Sequence, residues 1–161
     1  MTLVLYRIDD RLIHGQVVVG WGQPLDIGFI VLVDDAVAAS DWEQDLYRMG
    51  VPPEMEVYFQ SADDAIATLP RYRNDPRRGI LLTGNIETMR RLVDEGGVDV
   101  VNVGGIHSRA GRIQRMRYVF LTPEEELQLR ELAAQGATVT AQDVPGARAV
   151  SLDDLLAGAE P

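Results

Sequence analysis

Short apolar runs alternate along the chain with longer segments in which apolar residues recur at a helical period. Runs bounded by turn residues predict strands, whereas the longer periodic segments predict helices. The predicted strands cover residues 3–8, 29–33, 56–59, 79–82, 98–103, 118–121 and 137–140. Strands that alternate with helices are joined by right-handed crossovers. The sequence therefore predicts an α/β fold, an open, mostly parallel, twisted sheet of about seven strands with helices on both faces.

The predicted helices begin near residues 15, 41, 61, 85, 122 and 151. The clearest start is Thr122, which can act as the N-cap, with Pro123 at the first helical position and Glu125 completing a capping box. Ser61 and Ser151 begin similar patterns, each with an aspartate three residues later. These caps give helix starts that do not depend on the rest of the fold.

The length of 161 residues suits one domain with a sizeable core, and no repeat or long linker divides the chain. We therefore predict a single domain over residues 1–161.

Residues 69–79 hold two prolines and several arginines, which predicts an exposed connection. The longest apolar run, residues 29–33, is far shorter than the roughly 20 residues of a membrane span. With no signal-peptide pattern at the N-terminus, we expect a cytoplasmic protein.

The charge balance excludes several classes of function. Twenty-five acidic residues against 15 basic ones give a net charge of −10, which argues against binding to nucleic acid or anionic lipid. The chain has no cysteine, so disulfides, thiolate metal sites and cysteine nucleophiles are excluded. Every basic residue is an arginine, which removes P-loop chemistry, Schiff-base chemistry and the lysine of a phosphorelay receiver.

Ligands of an open α/β sheet bind beyond the carboxyl ends of the strands. The loops predicted there cover residues 9–15, 34–40, 60–63, 83–85 and 104–111. In the first, His14 precedes a predicted helix whose free N–H groups suit a phosphoryl group, and Arg11 adds a planar fork of donors. Gly15 lets the backbone approach closely, and Asp9 and Asp10 could orient His14 or hold Arg11. Alternatively, His14 only caps the loop and Arg11 pairs with an aspartate.

Two further loops could bring backbone amides near the same group: Thr83 with Gly84, and Gly104 with Gly105. His107 follows in the second of these loops. It either takes part directly or belongs to ordinary turn chemistry, and the sequence leaves both interpretations open. The loop continues into a basic stretch, which is either a solvated face or a docking site for an acidic partner. The basic residues of this stretch are Arg109, Arg112, Arg115 and Arg117.

Residues 7–17 read Arg-Ile-Asp-Asp-Arg-Leu-Ile-His-Gly-Gln-Val and are followed by Trp21. This run resembles the signature of the enzyme IIB domains of the mannose/fructose/sorbose family of the bacterial phosphoenolpyruvate-dependent sugar phosphotransferase system. The resemblance extends along essentially the whole chain. Its further matches lie at residues 33–35, 52–53, 102–105 and 121–122. The family's fold is an open, mainly parallel sheet with one antiparallel strand, which agrees with the fold predicted above.

The resemblance implies that His14 accepts a phosphoryl group from a phosphohistidine of a IIA protein, at the ring nitrogen Nδ1. His14 would then pass the group to a sugar held by the IIC and IID membrane subunits, with which the chain would associate peripherally. Arg11 would stabilise the phosphoryl oxygens, and Asp9, Asp10, Gly15 and Gln16 would support the site. No metal or cofactor is implied. Because the chain ends at Pro161 without a fused IIA domain, we expect a separate donor. The family also tends to dimerise, which makes a homodimer one expectation.

Other functions remain as alternatives. A regulatory module of the same fold would signal through its phosphorylation state rather than drive transport. A phosphorelay receiver could use Asp9, Asp10, Asp34 and Asp35 to bind Mg²⁺, but the third strand ends without an aspartate and the chain has no lysine. Nucleotide-binding and serine-hydrolase functions lack the Walker, Gly-x-Gly-x-x-Gly and Gly-x-Ser-x-Gly patterns.

Overall fold

The structure is a computed structural model that describes residues 3–158. Residues 1–2 and 159–161 of the predicted 1–161 unit lie outside the described residues. The strands are β1 (Leu3–Ile8), β2 (Ile27–Val33), β3 (Glu56–Gln60), β4 (Arg78–Thr83), β5 (Val100–Val103), β6 (Ile113–Met116), β7 (Val119–Leu121), β8 (Thr138–Ala141) and β9 (Val150–Ser151). The helices are α1 (Asp35–Ala38), α2 (Asp41–Met49), α3 (Ala62–Arg73), α4 (Ile86–Gly96), α5 (Pro123–Ala134) and α6 (Leu152–Leu156), and a π-helix covers Gln16–Trp21.

Seven strands form the main sheet in the order β3-β2-β4-β1-β5-β8-β9. The pairs are parallel except for β8 and β9, which are antiparallel. Helices α3 to α6 cover one face, and the π-helix, α1 and α2 cover the other. The predicted fold, a mostly parallel sheet with one antiparallel strand and helices on both faces, is confirmed.

One predicted strand lies outside this sheet. Residues 118–121 were expected in the main sheet, but β7 pairs antiparallel with β6 in a separate two-stranded sheet. The two strands are joined by a short turn, which permits antiparallel pairing, whereas a parallel place beside β5 would need a long crossover. The seventh position of the main sheet is instead taken by β9, which the sequence analysis did not predict.

The predicted exposed connection over residues 69–79 is also wrong for its first half. Helix α3 continues through Pro70 to Arg73, and both Leu69 and Tyr72 are buried. A proline inside a helix removes one backbone hydrogen bond and costs about 3 kcal/mol. The apolar positions of α3 continue past the proline and pack into the core, which offsets that cost. The connection is therefore reduced to residues 74–77.

The predicted helix starts are present in the structure. The Thr122 hydroxyl accepts a hydrogen bond from the Glu125 N–H, and the Glu125 carboxylate accepts one from the Thr122 N–H, so the capping box forms. Ser61 and Ser151 also cap their helices. The helix predicted near residue 15 is the short, wide π-helix, a form that recurs at functional sites.

Within residues 3–158, no helix has the length and apolar character needed to cross a bilayer.

Candidate active site

The loop after β1, residues 9–15, lies at the centre of the sheet's carboxyl edge. Strand β1 is placed between β4 and β5, so this loop is flanked by the loops that follow those two strands. The Asp9 N–H donates to the Thr83 carbonyl at 2.9 Å, and the Asp10 N–H donates to the Gly105 carbonyl at 2.8 Å. The strand order thus brings three of the predicted loops together at one point, as expected for a ligand site in this fold class.

The buried carboxylate of Asp9 joins the charged groups of this site. Its Oδ2 lies 3.4 Å from Arg7 Nη2 and 3.2 Å from His14 Nε2. Its Oδ1 accepts a hydrogen bond from the Arg11 N–H at 3.2 Å and lies 3.5 Å from Arg11 Nε. Asp9 therefore both orients His14 and holds Arg11, two roles that the sequence left as alternatives.

Asp9 is ionised in this setting. Burial by itself would raise the pKa of the Asp9 carboxyl, but the neighbouring His14, the Arg7 guanidinium and the Arg11 N–H together lower it further than burial raises it. The net effect is a pKa below the ordinary value for aspartate. A buried negative charge with three donors around it is stabilised by pairing rather than by water.

His14 presents one ring nitrogen inward and the other outward. Nε2 is buried, and the one polar group of the described residues beside it is the Asp9 carboxylate, whose contact is not aligned as a linear hydrogen bond. Nδ1 has no partner among the described residues and is accessible to solvent. A carboxylate beside Nε2 favours the tautomer that carries its proton there. The lone pair of Nδ1 is then free and faces outward.

Arg11 has one anchored and one free terminal nitrogen. Its side chain is 44% exposed, and Nη2 donates to Gln16 Oε1 at 2.6 Å. Among residues 3–158, Nη1 has no hydrogen-bond partner. Because Arg11 and His14 share Asp9, a free guanidinium donor and a free imidazole nitrogen lie in one loop at one end of the sheet. This arrangement suits a group that carries several negative oxygens.

Arg7, which the sequence analysis did not predict as a site residue, is fully buried beneath the loop. Its Nη1 donates to the side-chain oxygen of Asn102 and, at 2.8 Å, to the Gln142 carbonyl. The guanidinium also lies over the Trp21 ring, 5.0 Å from its centroid. Burial lowers the pKa of Arg7, and Asp9 opposes that shift. An arginine inside an otherwise apolar strand was the sequence signal that could have identified it.

The glycines of the loop after β5 let charged side chains approach the backbone. A Cβ on Gly104 would overlap the Arg7 guanidinium, and a Cβ on Gly105 would lie 3.3 Å from Asp9 Oδ1 and 3.6 Å from Arg11 Nε. Both positions of the pair therefore pack directly against the charged centre of the site. A side chain at residue 104 would displace the Arg7 guanidinium, whereas a Cβ at residue 105 would require Asp9 to shift by only a few tenths of an ångström.

Thr83 and Gly84 contribute less to the charged centre of the site than the glycines of the loop after β5 do. Thr83 is in register with Ile8, one residue after Arg7, so its side chain projects from the opposite face. The Thr83 hydroxyl is buried and has no hydrogen-bond partner among the described residues. Gly84 packs against the Leu12 side chain, which a Cβ would approach to 2.8 Å. The structure thus places Thr83 near the loop through its carbonyl rather than its hydroxyl.

Asp10 and His107 form a separate pair. The carboxylate of Asp10 accepts the His107 N–H at 2.8 Å, and its other oxygen contacts His107 Nδ1. Arg112 donates to the His107 carbonyl at 2.7 Å and pairs with Glu125 through two nitrogens. These contacts tie the loop after β5 to the loop after β1. His107 is therefore one of the residues that hold the two loops together.

The basic stretch is partly an internal feature. Besides Arg112, Arg115 pairs with Glu126 at 2.6 Å. Arg117 is 80% exposed, with its Nη2 3.7 Å from Asp143 Oδ2, and Arg109 is exposed. Two of the four arginines therefore hold the β6–β7 segment against α5, and two lie at the surface.

Asp143, in the loop after β8, is a second site residue that the sequence analysis missed. Its Oδ1 accepts a hydrogen bond from Gln16 Nε2 at 2.6 Å, and its carbonyl accepts one from Trp21 Nε1 at 2.9 Å. The loops predicted at the carboxyl edge of the sheet did not include the one after the predicted strand 137–140. The residues after the predicted strand 137–140 end at the same edge of the sheet and could have been included on that ground.

The acidic pocket of the receiver alternative does not form among the described residues. Asp34 accepts the Val37 N–H at 2.9 Å and Asp35 accepts the Ala62 N–H at 2.8 Å, so both carboxylates serve backbone groups. No group of three or more histidine, aspartate or glutamate side chains within residues 3–158 is arranged to hold a metal ion. These aspartates act as helix caps.

Comparison with known proteins shows which family the chain resembles. The family model described as "PTS system sorbose subfamily IIB component" matches residues 3–161. The N-acetylgalactosamine-specific phosphotransferase enzyme IIB component 1 of Escherichia coli strain K12 is 35% identical over 159 residues, which cover 95% of this chain and 98% of that protein. The mannose-specific EIIAB component of the same strain is 33% identical over 97% of this chain, which spans 49% of that protein.

A solved structure shows the same architecture. The IIBSor domain of the sorbose permease from Klebsiella pneumoniae superimposes with a TM-score of 0.86 at 30% identity, and the match covers 98% of each chain. The family match spans nearly the whole chain and includes the loop that carries His14 and Arg11. The chain therefore belongs to the sorbose subfamily of IIB components of the sugar phosphotransferase system.

Proposed function

We propose that the chain is a phosphocarrier in which His14 accepts a phosphoryl group from a phosphohistidine IIA protein and passes it to a sugar bound by membrane subunits. The observation that supports this most directly is the orientation of His14. Its Nε2 faces the buried Asp9 carboxylate, while Nδ1 is accessible. The structure offers no other histidine in this setting among residues 3–158, since His107 contacts Asp10 through its Nδ1.

The first transfer exchanges one nitrogen–phosphorus bond for another. The Nδ1 lone pair of His14 attacks phosphorus as the bond to the donor imidazole breaks, and the donor nitrogen regains its lone pair. The His14 ring then carries a positive charge, with its proton on Nε2 beside the ionised Asp9. The opposite charge of Asp9 stabilises this imidazolium. Little is required of the protein beyond positioning and charge compensation.

The second transfer reverses these roles. A sugar hydroxyl attacks phosphorus, the bond to Nδ1 breaks, and the hydroxyl proton passes to a base at the sugar site. His14 returns to the neutral tautomer with its proton on Nε2. In both steps the free Nη1 of Arg11 would donate to an equatorial phosphoryl oxygen and offset its charge. Arg11 is the cation we assign to this role, because Arg7 is fully buried and has all its contacts within the protein.

The partners follow from the family. IIB components work with IIA proteins and with IIC and IID membrane subunits, and we propose the same for this chain, on the cytoplasmic side of the membrane. The name of the mannose-specific relative, EIIAB, joins an A and a B component in one protein. The relatives' names specify different sugars, so the proposal extends to a sugar as substrate class and not to one sugar. We further propose that residues 1–161 act as one IIB-type domain.

The test is phosphorylation from labelled phospho-IIA. The phospho-IIA is first purified away from the metal-requiring first enzyme of the phosphotransferase system, and EDTA is then added. Wild type and His14→Ala are compared, with His107→Ala as the matched histidine control. We expect label on wild type and His107→Ala and none on His14→Ala. Acid-labile label on His14→Ala would place the acceptor elsewhere. Transfer that stops in EDTA and returns with Mg²⁺ would show that a metal takes part.

A further inference from the structure

The backbone of Asp143 is held in place beside the site by two hydrogen bonds to its carbonyl. Its carbonyl accepts hydrogen bonds from Trp21 Nε1 at 2.9 Å and from Arg7 Nη2 at 3.3 Å. Both donors belong to side chains that are buried. The carboxylate of Asp143 therefore starts from a fixed backbone position, at the edge of the loop that carries His14.

From this position, the carboxylate determines which way the Gln16 amide points. An ionised carboxylate has only acceptors, so the amide must present its NH₂ group to it, and Nε2 donates to Oδ1 at 2.6 Å. The amide oxygen then faces the other way, where it accepts from Arg11 Nη2 at 2.6 Å. With the opposite rotation, two groups of donors would face each other at Arg11. Asp143 thus selects the single amide orientation that binds the guanidinium.

The other anchor of the Arg11 side chain is weaker. Nε lies 3.5 Å from Asp9 Oδ1, at a distance that gives charge attraction with little directional restraint. The side chain is 44% exposed, so packing restrains it less than it would restrain a buried side chain. Without the Gln16 oxygen, the guanidinium could pivot about its Nε. The hydrogen bond to Gln16 is the contact that holds the terminal nitrogens in one orientation.

We propose that Asp143 is a positioning residue for phosphoryl transfer, acting through the Gln16 amide on the orientation of Arg11. The proposal rests on the proposed function, because it assigns Arg11 to the phosphoryl oxygens. A cation that is already in place lowers the barrier by more than one that must be ordered during the reaction. Asp143 itself does not contact the transferred group.

The test measures single-turnover transfer from purified phospho-IIA to wild type, Asp143→Ala and Asp143→Asn. Losing one hydrogen bond to a charged group is worth a factor of about ten or more, so Asp143→Ala should slow the rate constant about tenfold. The concentration of phospho-IIA that gives half the maximal rate should not change. Asp143→Asn keeps an oxygen that can accept from Gln16 and should recover most of the rate. Arg117→Ala, which removes the outer charge near Asp143, should transfer at the wild-type rate.

A double-mutant comparison separates positioning from general damage. In an Arg11→Ala background, Asp143→Ala should cause no further loss, because the residue it positions is gone. An equal further loss in that background, or a wild-type rate for Asp143→Ala, would overturn the proposal. A loss as large in Arg117→Ala would also overturn it, since it would point to local charge. Label on His14→Ala would instead refute the proposed function, and it is measured independently.

If Asp143→Ala does not fold, an exchange of the two groups tests the same idea. Gln16→Glu alone places two carboxylates against each other and should slow transfer. Combined with Asp143→Asn, the new glutamate accepts from both the asparagine amide and Arg11, so the rate should recover at least severalfold. A double variant as slow as Gln16→Glu alone would contradict the proposal.

Discussion

Replacing Gly104 with alanine should destabilise the protein strongly, because the glycine packs against a buried charge. The added Cβ would lie 2.7 Å from Arg7 Nε and still closer to Cζ and Nη2, whereas ordinary contacts are about 3.5 Å or more. The guanidinium would have to move by roughly 1 Å to restore an ordinary contact distance, which would disturb its hydrogen bonds to the Asn102 oxygen and the Gln142 carbonyl. Overpacking costs about 1–3 kcal/mol, and a weakened hydrogen bond to a charged group costs about 1.5–3 kcal/mol.

The expected loss is therefore about 3–5 kcal/mol in the free energy of unfolding, or a fall of roughly 10 °C in Tm for a chain of this size. Urea unfolding followed by tryptophan fluorescence measures it directly. Trp21 is buried and lies against Arg7, whereas Trp42 is 66% exposed. A Trp42→Phe background leaves Trp21 as the single reporter.

Gly146→Ala is the matched control, since a Cβ at that position meets no atom within 4 Å. It should change the free energy of unfolding by less than about 0.5 kcal/mol. The reasoning is refuted if Gly104→Ala unfolds within that same margin of wild type. Such a result would mean that Arg7 can move without cost, and that its contacts do not stabilise the loop.

Three further changes test other parts of the structure. Arg11→Lys keeps the charge but loses the planar fork, so transfer should slow about tenfold, while Tm stays close to wild type because exposed pairs contribute little; a large loss of Tm with unchanged transfer would support a purely structural Arg11. The pKa of Asp9 is depressed in the folded state, so its stabilising effect is complete above the unfolded value near 3.9 and is lost as the pH falls through the folded value. The difference between wild type and Asp9→Asn in urea unfolding should thus shrink from pH 7 to pH 3, and a constant difference would contradict that sign. Thr122→Ala removes the hydroxyl that caps α5 and should cost about 1 kcal/mol in the free energy of unfolding. Thermal unfolding should show this as a lower Tm, and an unchanged Tm would mean that the cap contributes nothing.

Local patterns along the chain predicted most of the fold. The strand and helix periods, and the caps at Ser61, Thr122 and Ser151, depend on residues within a few positions of each other. The continuation of α3 through Pro70 could not be predicted that way, because the packing of Leu69 and Tyr72 in the core offsets the local cost of the proline. The place of β7 likewise depended on which partner strand its short connection could reach.

For the proposed site, the sequence singled out one loop and two of its side chains, His14 and Arg11, and the structure places both beside Asp9. They lie three residues apart, and a single run of residues carries both. The sequence could not distinguish Asp9 from Asp10. In the structure, successive residues at the end of β1 project to opposite sides, so Asp9 lies beside Arg7 and His14 while Asp10 reaches His107.

The tertiary structure alone decided which distant groups complete the site. Arg7 donates to Asn102, 95 positions away, and Gln16 donates to Asp143, 127 positions away. These pairs meet because β1 lies between β4 and β5, with β8 beside β5, so loops that are far apart in sequence end at one edge of the sheet. The residues of the first loop are the basis for the proposal that a phosphoryl group is carried there. The order of the strands determined which residues hold that loop in place, because hydrogen bonds require contact in space and no local pattern specifies a partner a hundred residues away.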